Sequence, residues 1–132
     1  MDDTPVHLVE VTPLELPGMQ DTRGASVRSL LAADYAVSIG RIRSISGYQV
    51  KANLAAAELL QSLQDLFTDP IIEHGAINQS LLDDPAFFPD APDLAIMIGF
   101  KPGVTDNAAQ AALDGLCTLF PSQSGTAEVA TT

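Results

Sequence analysis

The sequence predicts an α+β fold in which one antiparallel sheet carries helices on one of its faces. Apolar segments typical of strands alternate with segments whose apolar residues recur at helical spacing. The links between them are short and contain proline, glycine and aspartate, as turns do. One strand–turn–helix pattern also occurs twice, so we expect a duplicated unit.

The first half of the chain carries the more complete unit. Its segment 37–54 is rich in strand formers and fits either one long, bent strand or a hairpin that turns near Ser46. Asn53 is a candidate cap for the helix that follows. The expected elements are a strand over residues 6–16, a helix over 21–35, the strand-forming segment 37–54, a helix that ends before Pro70 and a short strand over 71–77.

A linker and a shorter second unit follow. The linker is rich in aspartate and proline, and Phe87-Phe88 is expected to pin it to the body. Residues 94–100 alternate larger and smaller apolar side chains and predict a strand, and a helix is expected from Asn107 to about Phe120. The expected organisation is a first unit at 1–78, a linker at 79–92, the start of a second unit at 93–120 and a flexible tail at 121–132.

The repeated motif is Pro-Gly-x-x-Asp. Each copy follows an apolar strand and precedes a helix. Proline fixes φ and glycine tolerates a positive φ, so the pair turns the chain, and the aspartate is placed to cap the helix. The residues expected to form the two turns and helix caps are Pro17, Gly18, Asp21, Pro102, Gly103 and Asp106.

Charge and composition argue against several classes of function. Seventeen acidic residues against six basic ones give a net charge of −11, which opposes binding to nucleic acid and to an anionic membrane surface. The longest apolar run, 94–100, is far shorter than the about 20 residues of a membrane span. The N-terminus does not resemble a secretory signal. We therefore expect a cytoplasmic protein.

Few residues offer chemistry of their own. His7 and His74 are far apart and do not show a metal-ligand spacing. Cys117 lies among apolar residues of the last helix, which favours a buried structural thiol over a nucleophile. No phosphate-binding loop motif occurs. No catalytic, cofactor-binding or metal-binding residue is therefore assigned.

Two arginines are the candidate interface residues. Arg41 and Arg43 are two positions apart, so on an extended strand they share one face. In so acidic a chain they can pair with carboxylates of a partner. They can equally form ion pairs inside the chain, and both interpretations stay open here.

Four stretches, lying in order within residues 6–120, match the pattern of a known family. They are Asp21-Thr22-Arg23-Gly24, Arg43-Ser44-Ile45 with Tyr48-Gln49-Val50, Leu66-Phe67-Thr68-Asp69-Pro70-Ile71-Ile72, and Gly99-Phe100-Lys101-Pro102-Gly103-Val104-Thr105-Asp106-Asn107. The chain resembles PurS, the small subunit of phosphoribosylformylglycinamidine (FGAM) synthase. It is even more similar to the N-terminal region of PurL proteins that carry two PurS-like halves in tandem. It departs from the family at Leu16, where lysine is usual, and in a second half without its later elements.

The resemblance implies a role in the fourth step of purine biosynthesis. The enzyme of that step, FGAM synthase, is a ligase that makes FGAM with ATP, magnesium and glutamine-derived ammonia. The PurS-like part supplies no known catalytic group; it bridges the synthetase (PurL body) and the glutaminase (PurQ-like) and helps to enclose the ammonia path. ATP and magnesium would then belong to the full synthase, with no cofactor on this chain.

Two other functions compete with this scaffold role. A β-α-β-β-α-β pattern also fits a small-molecule-sensing regulatory domain of the ACT kind, and the third alternative is a small independent enzyme. The incomplete second unit favours a scaffold, because it is expected to leave an exposed sheet edge or an apolar helix face. A second copy of the chain or the rest of the synthase would cover such a surface.

Overall fold

The computed structural model describes residues 3–17 and 21–132, which form a four-stranded sheet and three α-helices. The elements are β1 (Val6–Pro13), α1 (Thr22–Tyr35), β2 (Ser46–Lys51), α2 (Ala56–Ser62), a π-helical segment (Leu63–Phe67), β3 (Glu73–Ile77), a 3-10 helix (Leu81–Asp83), α3 (Asn107–Leu119), a second 3-10 helix (Pro121–Gln123) and β4 (Glu128–Thr131). The strand order is β3-β1-β2-β4, with every neighbouring pair antiparallel. The predicted α+β fold with an antiparallel sheet is confirmed.

One face of the sheet carries the hydrophobic core. Residues at alternate positions of a strand share a face, and in β1 these are the buried Val9 and Val11. Val9 lies opposite Tyr48 of β2 and Ile77 of β3, so the same face continues across three strands. The core cluster consists of Val9, Val11, Val50, Ala52, Leu54, Leu59, Leu63, Phe67, Ala112, Leu116 and Ala127.

Apolar side chains of α2, the π-helical segment and α3 cover this face of the sheet. Leu59, Leu63 and Phe67 recur every four residues and are all buried in the core cluster, although α2 passes into the π-helical segment at Leu63. Gly75 of β3 permits this packing, because a Cβ there would lie 2.6 Å from Leu63 Cδ1. In α3, Ala112 and Leu116 join the same cluster.

The linker 79–92 packs against the other face of the sheet. Glu10 and Thr12 alternate with the core valines and so point to that face. The backbone N–H of Leu81 donates to Glu10 Oε1 at 2.8 Å, and the Leu81 side chain is fully buried. The linker is thus part of the folded body.

Residues 94–100, expected to form a strand, have no regular secondary structure. Their large side chains are exposed, from 56% at Phe100 to 83% at Met97. An alternating apolar pattern produces a strand only where a neighbouring strand pairs with it and covers its apolar face. In the described part of the chain no strand lies beside this segment. The strand prediction is wrong for the chain by itself.

Three further expectations differ from the structure. Residues 121–132, expected to be a flexible tail, contain a 3-10 helix and β4, because Val129 pairs with Val50 of β2. Residues 37–45 are neither a strand nor part of a hairpin, and only residues 46–51 pair. The cap of α2 is Ala55 instead of Asn53, with Glu58 accepting the Ala55 N–H.

Helix α1 packs less closely than the other helices. Its buried residue is Gly24, where an added Cβ would meet the Ile42 carbonyl oxygen, while Val27 and Leu30 remain exposed. Within residues 3–17 and 21–132, no helix combines the length and the apolar character that a membrane crossing requires.

Replacing Leu116 by alanine tests the assignment of the core. Leu116 has no exposed surface, so Leu116→Ala should lower the free energy of unfolding by about 2–5 kcal/mol in urea titrations. Leu60→Ala is the matched control, because Leu60 lies on α2 but is 52% exposed, and it should cost less than about 1 kcal/mol. Equal losses in both variants would contradict this packing.

Candidate functional site

The first Pro-Gly-x-x-Asp motif ends in a buried carboxylate that joins two distant parts of the chain. Asp21 Oδ1 accepts the Gly24 backbone N–H at 2.9 Å and so caps α1. Asp21 Oδ2 accepts the Ser44 backbone N–H at 2.5 Å, and the Ser44 hydroxyl donates to both carboxylate oxygens. One side chain therefore fixes the start of α1 against the segment that leads into β2.

The second motif repeats this arrangement with other partners. Asp106 Oδ1 accepts the Ala109 backbone N–H at 3.0 Å and caps α3. Asp106 Oδ2 accepts the Thr131 backbone N–H at 2.9 Å and the Thr131 hydroxyl at 2.8 Å. We call each of these carboxylates, with its helix N–H and its serine or threonine, an aspartate clasp. The duplication seen in the sequence is thus also a duplication of hydrogen bonds.

Both clasps stabilise the charged form of their aspartate. Burial raises the pKa of Asp21, but the hydrogen bonds from Gly24 and Ser44 and the charge of Arg43 outweigh it, so the pKa lies below its ordinary value. At Asp106, desolvation acts in the same upward direction, and the hydrogen bonds from Thr131 and Ala109 again lower the pKa overall. Carboxylates held in this state accept hydrogen bonds and are poor general acids.

The turn residues of the two motifs are placed as follows. Pro17 lies in a turn, whereas Gly18 lies outside the described residues. In the second copy, Pro102 precedes Gly103, whose φ of +85° is a left-handed conformation that favours glycine. The sequence does not predict Ser44 and Thr131 as clasp partners, because they lie 23 and 25 residues beyond their aspartates and no local pattern links them.

The two candidate interface arginines interact within the chain. Arg41 forms an ion pair with Glu15, and Arg43 Nε lies 3.5 Å from Glu15 Oε1. Arg43 also donates to the Phe87 carbonyl oxygen, and its guanidinium lies 4.1 Å from the ring centroid of Phe88. Burial, together with the neighbouring Arg41, lowers the pKa of Arg43, which Asp21 partly offsets. Their use at an interface stays a prediction.

The aromatic pair Phe87-Phe88 pins the linker to the body, as expected. The His74 ring of β3 stacks on Phe87 at 3.9 Å between centroids, with an angle of 10° between the ring planes. Phe88 lies under the Arg43 guanidinium. The linker therefore contacts β3 through Phe87 and the segment that leads into β2 through Phe88.

A shallow cleft of about 340 Å³ lies beside the first clasp. Its charged side chains already have partners: Asp21 binds Gly24 and Ser44, and Glu15 pairs with Arg41. Arg28 donates to the Ile39 carbonyl oxygen. The cleft lining consists of Glu15, Asp21, Ala25, Arg28, Gly40, Arg41 and Ile42.

The remaining candidates for chemistry are separated in the structure. His7 Nδ1 lies 3.1 Å from Asn78 Nδ2, while His74 stacks on Phe87. Cys117 is a half-buried free thiol on α3. Among residues 3–17 and 21–132, no three histidine, cysteine, aspartate or glutamate side chains come together in a way that could hold a metal ion.

Comparison with known proteins gives one similar structure. No protein-family model and no curated protein matches the chain. Among solved structures, the purS subunit of phosphoribosylformylglycinamidine synthase from Thermotoga maritima matches with 15% sequence identity and a TM-score of 0.40. The match covers 55% of this chain and 90% of that subunit. A similarity at this level assigns neither a family nor an activity to the chain.

The second clasp should contribute strongly to stability. Asp106→Ala removes the cap of α3 and the acceptor for Thr131, so we expect a loss of about 2–3 kcal/mol in the free energy of unfolding. Asp34→Ala is the control, because Asp34 is exposed near the end of α1, where an acidic side chain gains nothing from the helix dipole. A loss at position 34 as large as at 106 would contradict the clasp.

The clasps also predict how stability depends on pH. A folded-state pKa below the unfolded value of 3.8 gives stability that is fully present above pH 3.8 and is lost as the pH falls through the folded pKa. The unfolding free energies of the wild type and of Asp21→Asn/Asp106→Asn should therefore differ by a constant amount at neutral pH. That difference should shrink only below about pH 4 in urea titrations. Shrinkage that begins near pH 6 would contradict the lowered pKa values.

Proposed function

We propose that this chain is a non-catalytic assembly domain of a cytoplasmic FGAM synthase. The observation that carries the proposal is the amount of apolar side chain that the folded chain leaves uncovered, at α1 and at residues 94–100. Uncovered apolar side chains that lie close together in the chain, as these do, are typical of sites of protein–protein interaction.

Helix α1 provides the surface for the synthase partners. Val27 and Leu30 lie three residues apart on one side of the helix and are 41% and 51% exposed. We call these two side chains the α1 surface. A helix with an uncovered apolar side gains stability when a partner buries it, by about 1.5–3 kcal/mol for each large side chain that becomes fully buried.

The matching sequence runs form structural junctions, which fits a scaffold. Asp69 begins the turn into β3, with its carboxylate accepting the Ile71 N–H, and the Thr68 hydroxyl donates to the Leu63 carbonyl oxygen. The other specific run, residues 100–107, contains the turn and the clasp aspartate of α3. The resemblance to the PurS-like region therefore concerns residues that shape the domain.

The chemistry of the synthase then belongs to its other parts. We propose that ATP and magnesium bind to the synthetase body and that the glutaminase releases the ammonia. This chain bridges the two and helps to enclose the path between them. Arg41 and Arg43 form ion pairs with Glu15. In this proposal they would belong to the part of the interface that adjoins the linker 79–92.

Co-elution tests the proposal. Mixed with the FGAM synthetase and glutaminase of the same organism, the chain should elute with them in size-exclusion chromatography. Leu30→Asp should reduce the co-eluting fraction at least about fivefold, because a charge in a buried apolar contact is costly. Ser29→Asp, at the exposed neighbouring position, should co-elute like the wild type.

Two outcomes would overturn the assembly role. One is separate elution of the wild-type chain at all concentrations tested. The other is direct binding of an amino acid or a nucleotide by the isolated chain in calorimetry, combined with no binding to the synthase parts. That combination would favour the ACT-like sensing function.

A further inference from the structure

The segment 94–100 has the composition of a buried strand but lies in solvent. It contains no charged residue, and Asp93 and Lys101 bound it. Leu94 and Ile98 are 75% and 81% exposed. Such a segment, with open backbone groups and apolar side chains, readily pairs with another polypeptide.

The internal repeat indicates what the segment lacks. Counted back from the clasp aspartates, Leu94 and Ile96 take the positions that Val9 and Val11 take in the first unit. Val9 and Val11 are buried in β1, which pairs with a strand on each side. The second unit has its clasp and its helix, but residues 94–100, which correspond to β1, have no neighbouring strand in the described residues.

We propose that two copies of this chain pair through residues 94–100 as antiparallel strands centred on Met97. In this register Leu94 of one copy lies opposite Phe100 of the other, and Ile96 lies opposite Ile98. Leu94, Ile96, Ile98 and Phe100 then meet on one face of the ribbon, while Ala95, Met97 and Gly99 lie on the other, with Ala95 opposite Gly99 and Met97 opposite its own copy. The segment is therefore complementary to itself, as a two-fold interface requires.

The charges at the ends of the segment select the same register. Pairing centred on Met97 places Asp93 of each copy opposite Lys101 of the other. Two opposite-charge pairs thus close the two ends of the ribbon, and a shift of two residues would remove both. Pro92 and Pro102, which cannot donate to a strand ladder, limit the pairing to this length.

The expected association is weak. A two-stranded ribbon is marginally stable by itself, and a net charge of −11 on each copy opposes approach. We expect a dissociation constant on the order of 10 μM at physiological ionic strength, where the Debye length is about 8 Å. The pairing does not rest on the proposed function, because it concerns the chain without any synthase partner.

Cysteine cross-linking tests the register. In a Cys117→Ser background, Met97→Cys should form a disulfide-linked dimer under mild oxidation, because the two central Cα atoms would be about 4.5–5.5 Å apart. Ala95→Cys is the matched control: its two copies would lie about 14 Å apart and should not cross-link. Mixing Ala95→Cys with Gly99→Cys should restore the cross-link. Equal cross-linking of Met97→Cys and Ala95→Cys would overturn the proposal.

A charge exchange tests the same contact in solution. In sedimentation equilibrium, Lys101→Glu should weaken dimerisation roughly tenfold, because like charges then face each other at both ends of the ribbon. Asp93→Lys/Lys101→Glu should recover the wild-type dissociation constant. All of these positions are exposed, so the fold should be unaffected.

Other results contradict the pairing. A wild-type chain that stays monomeric up to about 200 μM, or that forms open-ended aggregates in place of dimers, would overturn it. So would a failure of the double variant to recover. Leu30→Asp should leave the Met97→Cys cross-link unchanged. Cross-linking therefore tests the pairing of two copies, while co-elution tests binding of synthase partners to the α1 surface, and either can fail without the other.

Discussion

The aspartate clasp is the interaction on which the rest of this structure depends. In each motif, one carboxylate accepts hydrogen bonds from an N–H group at the start of a helix and from a hydroxyl group far along the chain. Hydrogen bonds to a charged group contribute more than neutral ones, about 1.5–3 kcal/mol each. A short edge strand such as β4, with four residues, gains a fixed position from its bond to Asp106.

The clasp also explains why the two units end so differently. A clasp needs only its helix and one later residue, and both units supply these. A strand needs a neighbour along its whole length, and β1 has two such neighbours while the segment 94–100 has none in the described residues. The second unit is therefore fixed at its helix, while its segment 94–100 stays unpaired.

Most charged groups near the first clasp are already engaged within the chain. Glu15 holds Arg41, and Arg43 fastens the linker through Phe87 and Phe88. The uncovered surface is apolar, at the α1 surface and at 94–100. The groups that remain uncovered at these two places are therefore apolar, as the proposed assembly role requires.

The sequence by itself determined the features that depend on local patterns. The apolar spacing predicted the helix that ends before Pro70, and the two motifs predicted the caps at Asp21 and Asp106. Only the tertiary structure decided which apolar segments obtain partners. It brought Ser44 and Thr131 to the caps, made residues 128–131 a strand beside β2, and left 94–100 unpaired. Helix caps are closed by neighbours a few residues away, whereas strand pairing is a property of the whole fold and its partners.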